Sequence, residues 1–329
     1  MVEFIVIVLG TALLLYVLLG GADFGAGILE IFTGSKGEET ISEAIAPVWE
    51  ANHVWLVLIV VILFMGFPPV YAIMTTELHL PVLMALIGII FRGTAFTFRH
   101  YDVQQDYTHR FYSLTFRISS VITPMFLGIV AGAMILGRVN PEAGNFYGRF
   151  IAPWLNVFPI MFGIFTCVLF TWLASVFLIG ETDDETNRAI YTSYAKRMTL
   201  AVILTGGLLF GAAEASGWSL VSRFLESTTS MLSLLIATLS IPVLWTQLNW
   251  QNIGGSRLVA GAQTTLILLG WFSIQYPEII RFANKPSTTF YNAHAPEATL
   301  LQLIIALAVG IVIVIPAFYY LFRVFKLQR

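Results

Sequence analysis

The sequence predicts an all-α integral membrane protein with about nine transmembrane helices in a single domain, residues 1–329. Three observations carry that prediction. The chain is 57% hydrophobic and only 11% charged, whereas a soluble domain carries about 25% charged residues. Nine apolar runs approach the roughly 20 residues needed to cross a ~30 Å hydrocarbon core. The connections between them are too short to hold a soluble domain. The runs are read as helices because lipid offers no hydrogen-bond partner to an open strand edge. A net charge of −2 supplies no basic field for nucleic acid.

The runs fall at approximately 4–32, 50–67, 76–98, 114–137, 155–179, 198–215, 230–248, 258–275 and 299–323. The first lacks a basic leading region and a small-residue cleavage site, so it is expected to be a retained span rather than a signal peptide. Its second half, Gly20-Gly21-Ala22-Asp23-Phe24-Gly25-Ala26-Gly27, places small residues at helical spacing. Such residues let a neighbouring helix approach closely and shield a polar group from lipid. The second span opens with Pro47-Val48-Trp49-Glu50-Ala51-Asn52-His53-Val54-Trp55. Glu50 and His53 are three residues apart, a spacing that shares a helix face. Gly66-Phe67-Pro68-Pro69-Val70-Tyr71 reads as a turn in which two prolines end the span.

Glu77 and His79 read as interfacial, and Arg92 and Arg99 line the third span and its end. His100 and His109 in loop 99–113 read as solvated, as does His294 in the loop 276–298. Cys167, the one cysteine, lies in an apolar run and fits no disulfide or metal pattern. Glu214 and Trp218 close the sixth span, where an aromatic anchor is expected. Loops 138–154 and 180–197 complete the connections, and no internal repeat is evident.

Lys and Arg in the loops set orientation. With the N-terminus outside, ten face the cytoplasm (Lys36, Arg99, Arg110, Arg188, Lys196, Arg197, Arg257, Arg323, Lys326, Arg329) and five face outward (Arg138, Arg149, Arg223, Arg281, Lys285). The expectation is therefore an outer N-terminus and a cytoplasmic C-terminus. At 1.5 Å per residue, Asp23 lies roughly 30 Å along the first span, and Arg92 and Arg99 roughly 24 and 34 Å along the third. Asp23, Glu50, His53, Arg92 and Arg99 are thus expected near one membrane face, brought there by three helices.

Ionisable groups within spans are costly and mark ion paths, relays or buried pairs; an interfacial side chain that snorkels to water is the plainer reading for Glu50. Haem would need His or Met ligands on facing helices. His53 has no partner histidine at similar depth, and Met84, Met125, Met134 and Met161 sit in apolar runs where gap filling is the default. The residues therefore favour a chain without its own cofactor. A stand-alone secondary transporter or ion channel, or a structural scaffold, also fits buried acids on glycine-rich helices.

Four ordered blocks resemble subunit II of the cytochrome bd-type quinol oxidases, a family that includes the cyanide-insensitive oxidases. They are Gly21–Gly27, Pro47–Leu56, Phe67–Ala72, and Phe91-Arg92-Gly93 followed by Phe98-Arg99; Arg323-Val324-Phe325-Lys326 is a weaker fifth. The resemblance implies two four-helix bundles plus one peripheral helix, paired pseudo-symmetrically with a subunit I in the bacterial cytoplasmic (inner) membrane. It implies that subunit I carries haems b and d and oxidises quinol. This chain would bind no haem, support assembly and contribute a cytoplasmic proton path. Glu50 matches the acid of that path, often Asp in the family, and Asp23 matches the acid of the first-span motif. Asn52 lies in the same block, and Arg92 and Arg99 are expected to neutralise carboxylates or anchor at headgroups rather than carry protons. His53 stands where Gln is common, and Thr97 where some members have an acid. A structural quinone found in some members, and small accessory subunits, are not placed by these residues.

Overall fold

The computed structural model describes residues 1–101 and 107–325, without the side chains at 35, 36, 100, 322 and 325. Lys326, Arg329 and the side chains of Lys36, His100 and Phe325 therefore lie outside the described residues. Among the described residues, nine spans are long and apolar enough to cross a membrane.

The helices run in chain order as α1 Val2–Leu15, α2 Gly21–Thr33, α3 Ser35–Ile45, α4 Trp49–Gly66, α5 Pro68–Glu77, α6 His79–Tyr101, α7 Tyr107–Leu136 and α8 Phe146–Phe150, then α9 Val157–Leu178, α10 Glu185–Ala215, α11 Leu220–Glu226, α12 Thr228–Leu239, α13 Ile241–Asn249, α14 Ile253–Gln275 and α15 Glu297–Phe325. A π-helical turn, Tyr16–Gly20, joins α1 to α2 in one continuous span. Between α14 and α15 lie two short antiparallel strands, β1 Glu278–Ile280 and β2 Thr288–Thr289.

The spans agree with the apolar runs to within a few residues at most ends, and three local departures have physical causes. Most of the loop 180–197 is the start of α10, capped by the Asp184 carboxylate, which accepts from the Thr186 and Asn187 amides. That cap satisfies amides otherwise left without partners, so a polar segment continues the helix beyond the apolar run. Pro68 and Pro69 begin a helix rather than extend a turn: they are the first residues of α5, where a missing N–H removes no helical bond. The seventh span is two pieces, α12 and α13, divided at Ser240 with Pro242 just beyond. Proline cannot continue the ladder from the preceding turn.

Glycine sets the central packing. α2 lies against α7 and α9, and α6, α7, α9 and α10 pack in sequence order. A Cβ on Gly25 would overlap the Phe170 carbonyl, and one on Gly27 would overlap the Ser120 hydroxyl. Close approach is thus set by the Phe170 backbone at Gly25 and by the Ser120 side chain at Gly27. The largest core, with Leu29, Phe96, Phe116, Trp172 and Tyr191, fills this region. A second core, with Ile5, Ile62, Phe67 and Leu300, joins α1, α4 and α15. Large apolar residues such as Val57, Phe64, Leu204 and Val312 remain exposed, as a bilayer-facing surface requires.

Candidate functional site

The glycine patch places Asp23 inside the protein. Asp23 is 8% exposed, and its carboxylate accepts a 2.6 Å hydrogen bond from the Asn52 amide of α4. Arg92 of α6, 1% exposed, donates to the Asp23 main-chain carbonyl at 2.9 Å and to the Ser120 hydroxyl at 3.3 Å. Its guanidinium lies 4.6 Å from the Phe24 ring centroid and 5.2 Å from that of Phe116. Weakly hydrated, planar Arg suits such stacking. A permanent cation beside a carboxylate is thereby held in a region that lipid cannot reach.

His53 sits beside this centre. Its ring is 6.4, 5.9 and 6.3 Å from the centroids of Tyr16, Phe24 and Trp49. Rings from the π turn, α2 and α4 lie around it in tilted and edge-on contacts. Buried atoms Tyr16 Oη, Asn52 Oδ1 and His53 Nδ1 have no hydrogen-bond partner among the described residues. Tyr16 opens the π turn, a local widening often found at functional sites.

One helical heptad further along lies a second centre that residue-by-residue reading missed. Glu30, wholly buried, accepts from Arg99 Nη1 at 2.8 and 3.0 Å and from Arg117 Nε at 2.9 Å. Glu38 of α3 accepts from the Ser113 hydroxyl at 2.8 Å, His109 Nε2 at 2.9 Å and Arg117 Nη2 at 3.4 Å. Arg99 also stacks on Phe116, 4.3 Å from its centroid. Burial pushes the Glu38 carboxyl upward, but hydrogen bonds from Ser113 and His109 and the Arg99 charge outweigh it and hold the group below the ordinary carboxylate value. A signal was present: Asp23 and Glu30 are seven apart on α2, and Arg92 and Arg99 are seven apart on α6. Seven residues return to nearly the same helix face, about 10 Å further on.

The expected group of five therefore divides. Asp23, Asn52 and Arg92 form one centre with His53 at its edge, and Arg99 belongs to the second. Glu50 stands apart: it is exposed in the first turn of α4. It lies about 200° around that helix from Asn52, at 100° per residue. His109, expected in solvent, is instead a half-buried partner of Glu38 on α7. Glu77 is 4% exposed and forms a bidentate pair with Arg149 at 2.8 and 2.9 Å. His79 Nδ1 lies 2.7 Å from the Thr76 carbonyl, His294 is exposed, and the Thr97 hydroxyl bonds the Gly93 carbonyl. Among the described residues, no three His, Cys, Asp or Glu side chains converge as a metal site.

The family described as cytochrome bd terminal oxidase subunit II matches residues 1–325. The chain belongs to that family. Curated relatives include cytochrome bd ubiquinol oxidase subunit 2 of Bacillus subtilis, 27% identical over 221 residues, 66% of this chain and 64% of the relative. The cytochrome bd-I ubiquinol oxidase subunit 2 of Escherichia coli K12 is 24% identical over 54% of this chain and 48% of its own length. These matches span about two thirds and one half of the relatives' lengths. A putative cytochrome bd menaquinol oxidase subunit II of Bacillus subtilis is 24% identical over 96% of this chain and 92% of its own. In fold, the chain is similar to a chain of the bd oxidase from Geobacillus thermodenitrificans, with TM-score 0.79 and 20% identity over 100% of this chain and 99% of that one.

Proposed function

We propose that this chain is the haem-free second subunit of a bd-type quinol:oxygen oxidoreductase, lying in the bacterial cytoplasmic membrane with its N-terminus outside. Its partner is a haem-bearing subunit I, whose haems b and d supply electron transfer from quinol and the reduction of oxygen to water. This chain supports that subunit and conducts protons toward it from the cytoplasmic side.

The observation that carries the reading is the buried Asp23 carboxylate on Asn52, flanked by three partnerless polar atoms, Tyr16 Oη, Asn52 Oδ1 and His53 Nδ1. Ordered water is the usual partner of such atoms, and a file of water and side chains is what proton transfer needs. Glu50, exposed at the head of α4, takes up the proton at the mouth. Asn52 presents its amide to Asp23 and its oxygen to the path. Arg92, bound to the Asp23 main-chain carbonyl, stands as a cation beside this acid. Glu30, already bound by two arginines, holds helices together rather than carrying protons. Protons drawn from the cytoplasm build membrane potential, worth about 2.3 kcal/mol per charge per 100 mV. No specific observation favours a stand-alone transporter or channel.

The test is Glu50→Gln and, separately, Asp23→Asn in the assembled complex. The expected result is an unchanged reduced-minus-oxidised haem spectrum with quinol oxidase turnover and potential generation lowered at least tenfold, a barrier increment of about 1.4 kcal/mol. Full turnover in both variants, with assembly intact, would remove these acids from the route. Loss of the haem signal would assign them a structural role.

A further inference from the structure

A cavity of about 310 Å³ opens between the end of α2 and the first turns of α10. Phe32, Thr33, Asn187, Tyr191, Tyr194 and Arg197 are among its lining residues, and among the described residues no carboxylate lines it. The Tyr194 hydroxyl donates to the Phe32 carbonyl at 3.4 Å. The Tyr191 hydroxyl is buried near Thr40 but outside hydrogen-bond geometry. Arg197 is exposed and pairs with no acid among the described residues. Its guanidinium rests 5.9 Å from the Tyr194 ring centroid, which holds the cation at the rim.

Below Arg197, toward the membrane centre, one stripe of α10 is apolar and open: Leu200 is 55%, Leu204 64% and Leu208 53% exposed. Spacings of three, seven and eleven from Arg197 keep these residues on its face. The stripe from Arg197 to Leu208 is about 16 Å long at 1.5 Å per residue. Half of a ~30 Å hydrocarbon core is nearly the same length. Ile31, 47% exposed, and Phe32, 57% exposed, continue the apolar wall on the α2 side.

We infer that this groove binds one anionic phospholipid of the adjacent leaflet. Its phosphate takes charge-assisted hydrogen bonds from Arg197, and its polar headgroup occupies the cavity beside Asn187, Thr33 and Tyr191. One acyl chain lies along Leu200, Leu204 and Leu208. A free phosphate would satisfy the cation but not the leucine stripe, and a water-filled cavity would satisfy neither. An anionic diacyl lipid matches both, because Arg197, a cation that pairs with no acid among the described residues, stands at headgroup depth over one leaflet's length of apolar helix.

The test uses the protein purified in detergent with its co-purifying subunits, delipidated, as wild type, Arg197→Gln and Arg197→Lys. Phosphatidylglycerol, phosphatidylethanolamine and inorganic phosphate are titrated separately, with bound mass read by native mass spectrometry and stability by thermal midpoint. Wild type should bind one phosphatidylglycerol that Arg197→Gln binds roughly tenfold more weakly, the effect of losing a charged hydrogen bond. Arg197→Lys should retain most of the binding, and phosphatidylethanolamine should bind more weakly than phosphatidylglycerol. Equal phosphatidylglycerol binding by wild type and Arg197→Gln would overturn the inference. So would inorganic phosphate at millimolar concentration that displaces the lipid or reproduces its thermal shift.

Discussion

Buried charge in this chain is held by pairing, and the pairing is specific. Glu30 has no access to solvent and two arginine partners. Removing one partner of a buried pair leaves an uncompensated charge, which costs about 3–5 kcal/mol, whereas replacing the pair with apolar or neutral groups is often close to neutral. Arg99→Ala leaves the buried Glu30 with Arg117 alone and is expected to lower the thermal midpoint of the purified protein. The double variant Glu30→Gln with Arg99→Met should recover most of that loss, and failure of the double variant to recover would mean that the pair's shape, not its charge, holds the site. Glu38 acts differently, because its folded-state carboxyl lies below the ordinary value of 4.5. A lowered acid contributes stability that is complete above its unfolded value and is lost as pH falls through the folded value. Hydrogen exchange of segment 35–45 is expected to accelerate below about pH 4.5, and Glu38→Gln should remove that dependence. The sequence grouped Asp23 and Arg92 with Glu50, His53 and Arg99, since small residues around an acid announce a shielded helix contact; Asn52 entered only through the family block, and the five divide in the structure. Glu30 was not legible, because a lone acid at the end of an apolar run reads equally well as an interfacial charge.

At the scale of the element, the glycines of α2 decide how near its neighbours come. Gly25 meets the Phe170 backbone carbonyl, which cannot move aside as a side chain can. Gly25→Ala should cost at least the 1–3 kcal/mol typical of overpacking, seen as lowered yield of assembled protein and a lower thermal midpoint. Gly211 of α10 is exposed with nothing within 4 Å of an added Cβ. Gly211→Ala should be neutral or stabilising by up to about 1 kcal/mol, the helix-propensity gain. Equal effects of the two substitutions would show that contact at Gly25 is not what holds α2 in place. The helix ends also follow local chemistry, as the Asp184 cap, the paired prolines of α5 and the break before Pro242 show.

For the whole molecule, the open question is which face of the membrane meets which set of charges. The proposed orientation, with the N-terminus outside, puts Glu142 outside and Asp183 in the cytoplasm, and both are exposed. With Cys167 changed to serine, Glu142→Cys should react with a membrane-impermeant maleimide in intact spheroplasts. Asp183→Cys should react only after permeabilisation, and the opposite pattern would invert the proton path proposed above. The number of the spans and most of their limits were readable from the chain alone, because bilayer thickness and hydropathy act on contiguous residues. The four family blocks were readable for the same reason, as local strings. Tertiary structure alone decided that Arg99 and Arg117 close on Glu30, that His109 turns inward to Glu38, and that Glu50 faces away from Asp23. Those outcomes depend on how each helix is rotated about its axis and on which helix lies beside it, quantities set by close packing of Gly25 on the Phe170 backbone and of Gly27 on the Ser120 side chain, contacts between residues far apart in sequence.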